Sequence, residues 1–153
     1  MQEIERKFLV TNDDYKLEAE RVHHIIQGYL SRDPSRTVRI RILDDKAYIN
    51  IKGPSDSTGI SRFEWEKEIS VDDARQLIQL ALPGTIEKVR YIVPINNELK
   101  WEVDEFLGEN EGLVLAEIEL PDPNTSFQKP NWLGKEVTGK PEYYNAHISK
   151  QNF

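Results

Sequence analysis

Glu3-Ile4-Glu5-Arg6-Lys7-Phe8 alternates by side-chain direction: on an extended strand Glu3, Glu5 and Lys7 share one face, and Ile4 and Phe8 lie on the other. Outward along the chain the same charged i, i+2 pattern returns in Arg39/Arg41, Glu64/Glu66/Glu68, Lys88/Arg90, Glu102/Asp104 and Glu117/Glu119. The opposite faces are apolar: Val38/Ile40/Ile42, Ile49/Ile51, Phe63/Trp65, Val89/Tyr91/Val93, Trp101/Val103 and Ala116/Ile118/Leu120. One such strand alone reads most simply as a solvated edge whose ion pair contributes about 0–1 kcal/mol. Charged faces of both signs, repeated strand after strand, read instead as the lining of one enclosed site.

Alternation predicts strands near 2–10, 21–32, 36–44, 46–53, 61–69, 86–95, 98–107 and 113–120. Asp44-Asp45 and Asn96-Asn97 read as tight hairpin turns, and Gly53-Pro54-Ser55-Asp56-Ser57-Thr58-Gly59 as a longer mobile loop, so neighbouring strands run antiparallel. Ser70 is a helix N-cap followed by the apolar stripe Ala74, Leu77, Ile78, Ala81 and Leu82, ending at Pro83-Gly84. A second, short helical pattern runs from Tyr143 to Lys150. Two helices are too few to cover eight strands, so the sheet must close. The expected fold is mainly β (α+β): an eight-stranded antiparallel closed tunnel barrel with a charged interior, its apolar outer wall covered by a few helices and the tail. Trp65 and Trp101 belong by parity to that outer wall.

The length of 153 residues suits one domain over 1–153. No apolar run is long enough to span a bilayer and no basic-then-apolar leader opens the chain, so the expectation is a cytoplasmic protein without a membrane partner. The net charge of -7 argues against a nucleic-acid partner. Cysteine is absent, which leaves carboxylates and histidines as metal ligands. His23 and His24 face opposite sides of one strand and His147 sits in the tail, so all three are read as structural or surface residues. A homodimer through the apolar outer wall is compatible with the sequence, and no segment specifies it.

Glu3-Ile4-Glu5-Arg6-Lys7 resembles the N-terminal ExExK signature of the CYTH superfamily, the triphosphate tunnel metalloenzymes. Arg39-Ile40-Arg41, Ile51-Lys52, Ser61-Arg62-x-Glu64-x-Glu66, Lys88-x-Arg90, Glu102-x-Asp104, Glu117-x-Glu119 and the tail from Gly134-Lys135-Glu136-Val137-Thr138 to Tyr144-Asn145 follow in that family's order. The resemblance implies an antiparallel tunnel that binds a triphosphate with a divalent metal, and the short form looks most like the bacterial inorganic triphosphatases. The family also holds thiamine triphosphatases, class IV adenylate cyclases and RNA triphosphatases.

Within that resemblance, residue chemistry sorts the inward set. Guanidiniums bind phosphate oxygens as a planar fork and ammoniums as a compact charge, which makes Lys7, Arg39, Arg41, Lys52, Lys88 and Arg90 the candidate phosphate ligands. Mg²⁺ and Mn²⁺ take oxygen ligands, which makes Glu3, Glu5, Asp104, Glu117 and Glu119 the candidate metal ligands. Arg62, Glu64 and Glu66 are further candidates. Water activation falls either to a second metal or to Lys7 with Tyr29, and the sequence leaves both open. The expected activity is Mg²⁺- or Mn²⁺-dependent hydrolysis of inorganic triphosphate to pyrophosphate and phosphate. The alternatives are an enzyme acting on an organic triphosphate and a non-catalytic polyphosphate-binding module.

Overall fold

The structure is a computed structural model and describes residues 2–148. It contains nine strands: β1 (Gln2–Val10), β2 (Arg21–Ser31), β3 (Thr37–Leu43), β4 (Lys46–Ser55), β5 (Ser61–Ile69), β6 (Ile86–Pro94), β7 (Lys100–Phe106), β8 (Val114–Glu119) and β9 (Leu133–Glu136). The helices are α1 (Tyr15–Glu18), α2 (Val71–Gln79) and α3 (Asn145–Ile148).

The strand order β5-β4-β3-β2-β6-β7-β8-β1 closes because β1 also pairs with β5. β1 does this by dividing its length. Glu5 to Leu9 pair with β8 on one edge, while Gln2, Glu3 and Ile4 pair with Phe63, Arg62 and Ser61 of β5 on the other. Beyond β5, that second edge is taken up by β9, with Phe8 opposite Glu136 and Val10 opposite Leu133. The expected eight-stranded antiparallel barrel is therefore present, with one additional strand.

Alternation then decides what each face packs against. On the outside, Phe8, Tyr15, Tyr91, Trp101, Phe127 and Trp132 meet edge to face with ring centroids 5.3–6.1 Å apart. Each such pair contributes about 0.5–1.5 kcal/mol beyond its burial. α2 covers another sector, where Ala74, Leu77 and Ile78 pack on Ile40, Ala47 and Ile49, and Ser70 Oγ caps the helix by accepting from Asp73 N at 3.0 Å. Trp65 departs from the expectation: it is 44 % exposed and Phe63 46 %, because neither α2 nor the described part of the tail covers β5 at that level.

The inner face changes character along its length. Its last residues at one end, Leu9, Ile86, Phe106 and Leu115, join Tyr29 and the tail residues Val137 and Ile148 in an apolar plug. The turns also differ from expectation in part. Asp44-Asp45 is a two-residue hairpin with Asp44 at φ 53°. The β6–β7 connection is longer than the Asn96-Asn97 pair, because Asn96 Oδ1 accepts from both Glu98 N and Leu99 N at 2.8 Å and organises residues 95–99. Gly53 to Ser55 belong to β4, leaving a short loop built on Asp56, whose carboxylate accepts from Thr58 N at 3.0 Å. The helical pattern expected to Lys150 is helix over Asn145–Ile148, and positions 149 and 150 lie outside the described residues.

Candidate active site

The bore holds a cavity of about 720 Å³. Seven carboxylates (Glu3, Glu5, Glu64, Glu66, Glu102, Glu117, Glu119) and seven cationic side chains (Lys7, Arg32, Arg39, Arg41, Lys52, Arg62, Arg90) line it. Such balance suits a polyanion that arrives together with a cation better than a bare polyanion.

The acidic side is built by register. Glu5 stands opposite Glu119, Lys7 opposite Glu117, and Glu102 opposite Glu117. Like charges directly across a ladder are destabilising, so the sheet keeps them there only against compensation. Lys7 Nζ supplies part of it, 3.3 Å from Glu117, and Lys52 Nζ supplies more, 3.0 Å from Glu3 and 3.5 Å from Glu64. Burial, and then Glu117, push Glu5 up to about 8. Burial also raises Glu3 and Glu119. Burial works against the charge on Glu117 too, but Lys7, Arg90 and Lys88 outweigh it and hold that carboxyl well below the usual range.

The basic side contains two unmatched charges. Arg41 Nε donates to Gln27 Oε1 at 3.2 Å, and buried Arg39 Nε has no hydrogen-bond partner. Among the described residues no carboxylate pairs with either guanidinium. Burial, with Arg39 and Arg90 nearby, pulls Arg41 down to about 9. Arg90, by contrast, is fixed: Asp104 accepts from its Nε and Nη2 at 2.7 and 2.8 Å, and Glu102 from Nη1 at 3.3 Å. Arg62 donates to Gly53 O at 2.8 and 3.0 Å, and Glu66 accepts from Asn50.

Two expected ligands stand back from the cavity. Both oxygens of Asp104 are engaged, one with Arg90 Nε at 2.7 Å and the other with Lys88 Nζ at 2.7 Å, and neither Asp104 nor Lys88 lines the bore. Parity places both inward, but their level abuts the apolar plug: Lys88 is opposite Phe106 and Asp104 opposite Leu115. Lys7 and Tyr29, expected to act together on water, have different neighbours. Lys7 Nζ donates to Tyr143 O at 2.8 Å and lies over the Tyr144 ring at 5.6 Å, whereas Tyr29 packs in the plug with Arg32 over its ring. Both Lys7 and Tyr29 border the cavity.

Several lining residues were not singled out from the sequence. Tyr48 and Asn50 share the parity of Lys52 and were legible on that ground. Glu102 was visible as an inward residue. Tyr144, Asn145 and His147 line the cavity from the tail, and His147, expected as a structural or surface residue, is exposed there. His23 and His24 are engaged elsewhere, with Asp44 and Glu87.

For a divalent ion, the donor set on β1 and β8 is entirely carboxylate oxygen, which fits Mg²⁺ or Mn²⁺. Among the described residues no three acidic or histidine groups converge into a ready-made cage. That also fits Mg²⁺, which takes one or two carboxylates and completes its shell with water and phosphate oxygens.

A closed antiparallel tunnel whose bore presents facing acidic and basic rows is the class of protein that this fold and site define. A family model described as CYTH domain matches residues 1–150, and the chain belongs to that family. It is 50 % identical over 152 residues to an inorganic triphosphatase of Acetivibrio thermocellus, covering 99 % of this chain and 95 % of the relative. It is 33 % identical over 154 residues to an inorganic triphosphatase of Nitrosomonas europaea, covering 97 % of each. The crystal structure of the inorganic triphosphatase NE1496 superposes with a TM-score of 0.68 at 29 % identity, covering 97 % of each chain.

Proposed function

We propose that the chain is a divalent-metal-dependent hydrolase that cleaves inorganic triphosphate to pyrophosphate and orthophosphate. The observation that carries this reading is the pair Arg39 and Arg41, guanidiniums that line the bore and that pair with no carboxylate among the described residues. An unpaired buried charge costs several kcal/mol, and an anionic ligand offsets that cost. The names of the relatives at 50 % and 33 % identity support the same substrate.

In this reading Arg39, Arg41, Arg90 and Lys52 hold phosphoryl oxygens, the forks bidentately and the ammonium as a point charge. One or two of Glu3, Glu5, Glu117 and Glu119 would hold Mg²⁺ or Mn²⁺, with water and phosphoryl oxygens completing its shell, and Glu64 and Glu66 of β5 face the same cavity. The ion, when bound, neutralises charge on the transferring phosphoryl and polarises it toward attack. Lys7, held between Glu117 and the Tyr143 carbonyl, donates to the phosphoryl nearest the carboxylates. Asp104 and Lys88 act one layer behind, fixing Arg90. A substrate with an organic end is the second reading, favoured by the Tyr48 and Tyr144 rings in the cavity wall. A homodimer has the half-exposed Phe63 and Trp65 on β5 in its support.

Phosphate release from tripolyphosphate, ATP, thiamine triphosphate and pyrophosphate, each with Mg²⁺, Mn²⁺ or chelator, tests the proposal. Tripolyphosphate ranks first and chelator silences it. Tight binding without release under every metal would instead make the chain a binding module.

Glu5 supplies a pH test. Its folded value of about 8 lies above the ordinary 4.5. Between those values the folded protein holds a proton that the unfolded chain has lost, so ligand-free stability falls as pH rises through that window. Ligand-free Tm is expected to drop from pH 5 to pH 8, and Glu5→Gln to flatten the slope and raise Tm at pH 8 by about 3–8 °C. A slope unchanged in Glu5→Gln assigns the dependence to another group. Mn²⁺ binding at pH 7 releases a proton, read as a buffer-dependent enthalpy by calorimetry.

A further inference from the structure

β4 turns Tyr48, Asn50 and Lys52 toward the bore, and its register sets Asn50 between two charges, with Arg39 opposite it on β3 and Glu66 opposite it on β5. The middle residue is a neutral amide, 1 % exposed. Its Nδ2 donates to the Glu66 carboxylate on the β5 side, so the plane of the amide turns Oδ1 toward β3. An ionised carboxylate only accepts, which fixes the donor end of the amide. Oδ1 is buried without a hydrogen-bond partner, and so is Nε of the opposed Arg39. One is an acceptor and the other a donor, on side chains that share a face of adjacent strands. Buried polar atoms left open in this way call for an explanation.

The next arginine along β3 repeats the arrangement with the bond made. Gln27, fully buried, stands opposite Arg41. Its Nε2 donates away from the arginine, to Asn145 Oδ1 at 3.2 Å, and its Oε1 accepts from Arg41 Nε at 3.2 Å. Arg90 shows the other option. Asp104 takes its Nε and Nη2 together at 2.7 and 2.8 Å, which occupies one edge of the fork and offsets its charge. An amide oxygen takes Nε alone and carries no charge, so both terminal nitrogens and the full positive charge stay available to a ligand.

We propose that Asn50 is the positioning residue for Arg39: as a phosphoryl group engages the terminal nitrogens, Nε closes onto Asn50 Oδ1, and the Glu66–Asn50–Arg39 relay aims the fork without neutralising it. This rests on the triphosphatase reading above, in which Arg39 holds phosphoryl oxygens. Docking then satisfies two buried atoms at once. Glu66 acts on the anion site through the amide, and Asn50 is the spacer that keeps its negative charge off the guanidinium.

The test moves that charge by one strand. Asn50→Asp combined with Glu66→Gln keeps the net charge and keeps a hydrogen bond between the two side chains, now donated by the glutamine, but sets the carboxylate against Arg39. The exchange is expected to raise KM for tripolyphosphate at least about tenfold, with a smaller fall in kcat. In an Arg39→Met background the same exchange changes KM by no more than about twofold, and whatever Glu66 contributes by itself cancels in the cycle. If the exchange does not fold, Asn50→Ala, which removes the acceptor, raises KM about tenfold in the wild type and not in Arg39→Met. An unchanged KM in the folded exchange, or an equal rise in both backgrounds, overturns the proposal. If the wild type releases no phosphate from tripolyphosphate, the triphosphatase reading fails by itself. Calorimetric dissociation constants for tripolyphosphate in the same four proteins then close the cycle in place of KM.

Discussion

Replacing Arg39 and Arg41 together with methionine is expected to lower kcat/KM on tripolyphosphate by at least about 10³-fold and to raise ligand-free Tm at the same time. The first effect follows from the loss of two forks aimed at phosphoryl oxygens, each of a kind whose removal costs roughly 10²–10³ in rate. The second follows from burial without a directly paired carboxylate among the described residues. Arg39 is 7 % exposed with an orphaned Nε, and Arg41 is pulled down to about 9 chiefly by burial. Methionine keeps much of the stem and removes a charge whose burial without a paired partner is costly. Steady-state kinetics and calorimetry on the same preparation read both. Lost activity with a lowered Tm would make the two arginines supports of the fold and remove the central observation.

Glu117→Gln and Asp104→Asn separate two carboxylates that parity alone treats as equivalent. Glu117 faces the cavity, with Lys7 3.3 Å away. Its neutral isostere is expected to lower metal-dependent kcat by at least about 10³-fold with the barrel intact. Asp104 sits behind the wall holding Arg90 and Lys88, and burial is overcome by those two cations, which keep its carboxyl well below the usual range. Asp104→Asn leaves both cations short of their partner, a change that costs about 3–5 kcal/mol, or roughly 6–20 °C in Tm. Wild-type turnover in Glu117→Gln would remove Glu117 from the site. Full stability in Asp104→Asn would return Asp104 to the candidate metal ligands.

The strands of the barrel were legible because a period of two survives in nearly all of them, and closure followed from the shortage of helices. β9 was not legible: Leu133-Gly134-Lys135-Glu136 is four residues with no alternation, and it becomes a strand because β1 offers it an open edge. α1 is a single turn, too short for a helical period to register. Parity gives the face of a side chain but not its depth, so Lys88 and Asp104 were grouped with Arg90 and Glu117 although they lie against the plug. The tail's contribution, Lys7 against Tyr144 and Asn145 against Lys88, joins residues more than fifty positions apart that no local pattern relates. Trp65 shows the converse: its outward parity is real, and nothing in the described chain covers it.

The most direct test of the central claim is a crystal structure of the protein with tripolyphosphate and Mn²⁺, with the ion located by its anomalous scattering. The account predicts phosphoryl oxygens on Arg39 and Arg41 inside the bore and the manganese between the triphosphate and the carboxylates of β1 and β8. Triphosphate bound outside the barrel, or a bore that admits it while Arg39 and Arg41 stay unengaged, would contradict it.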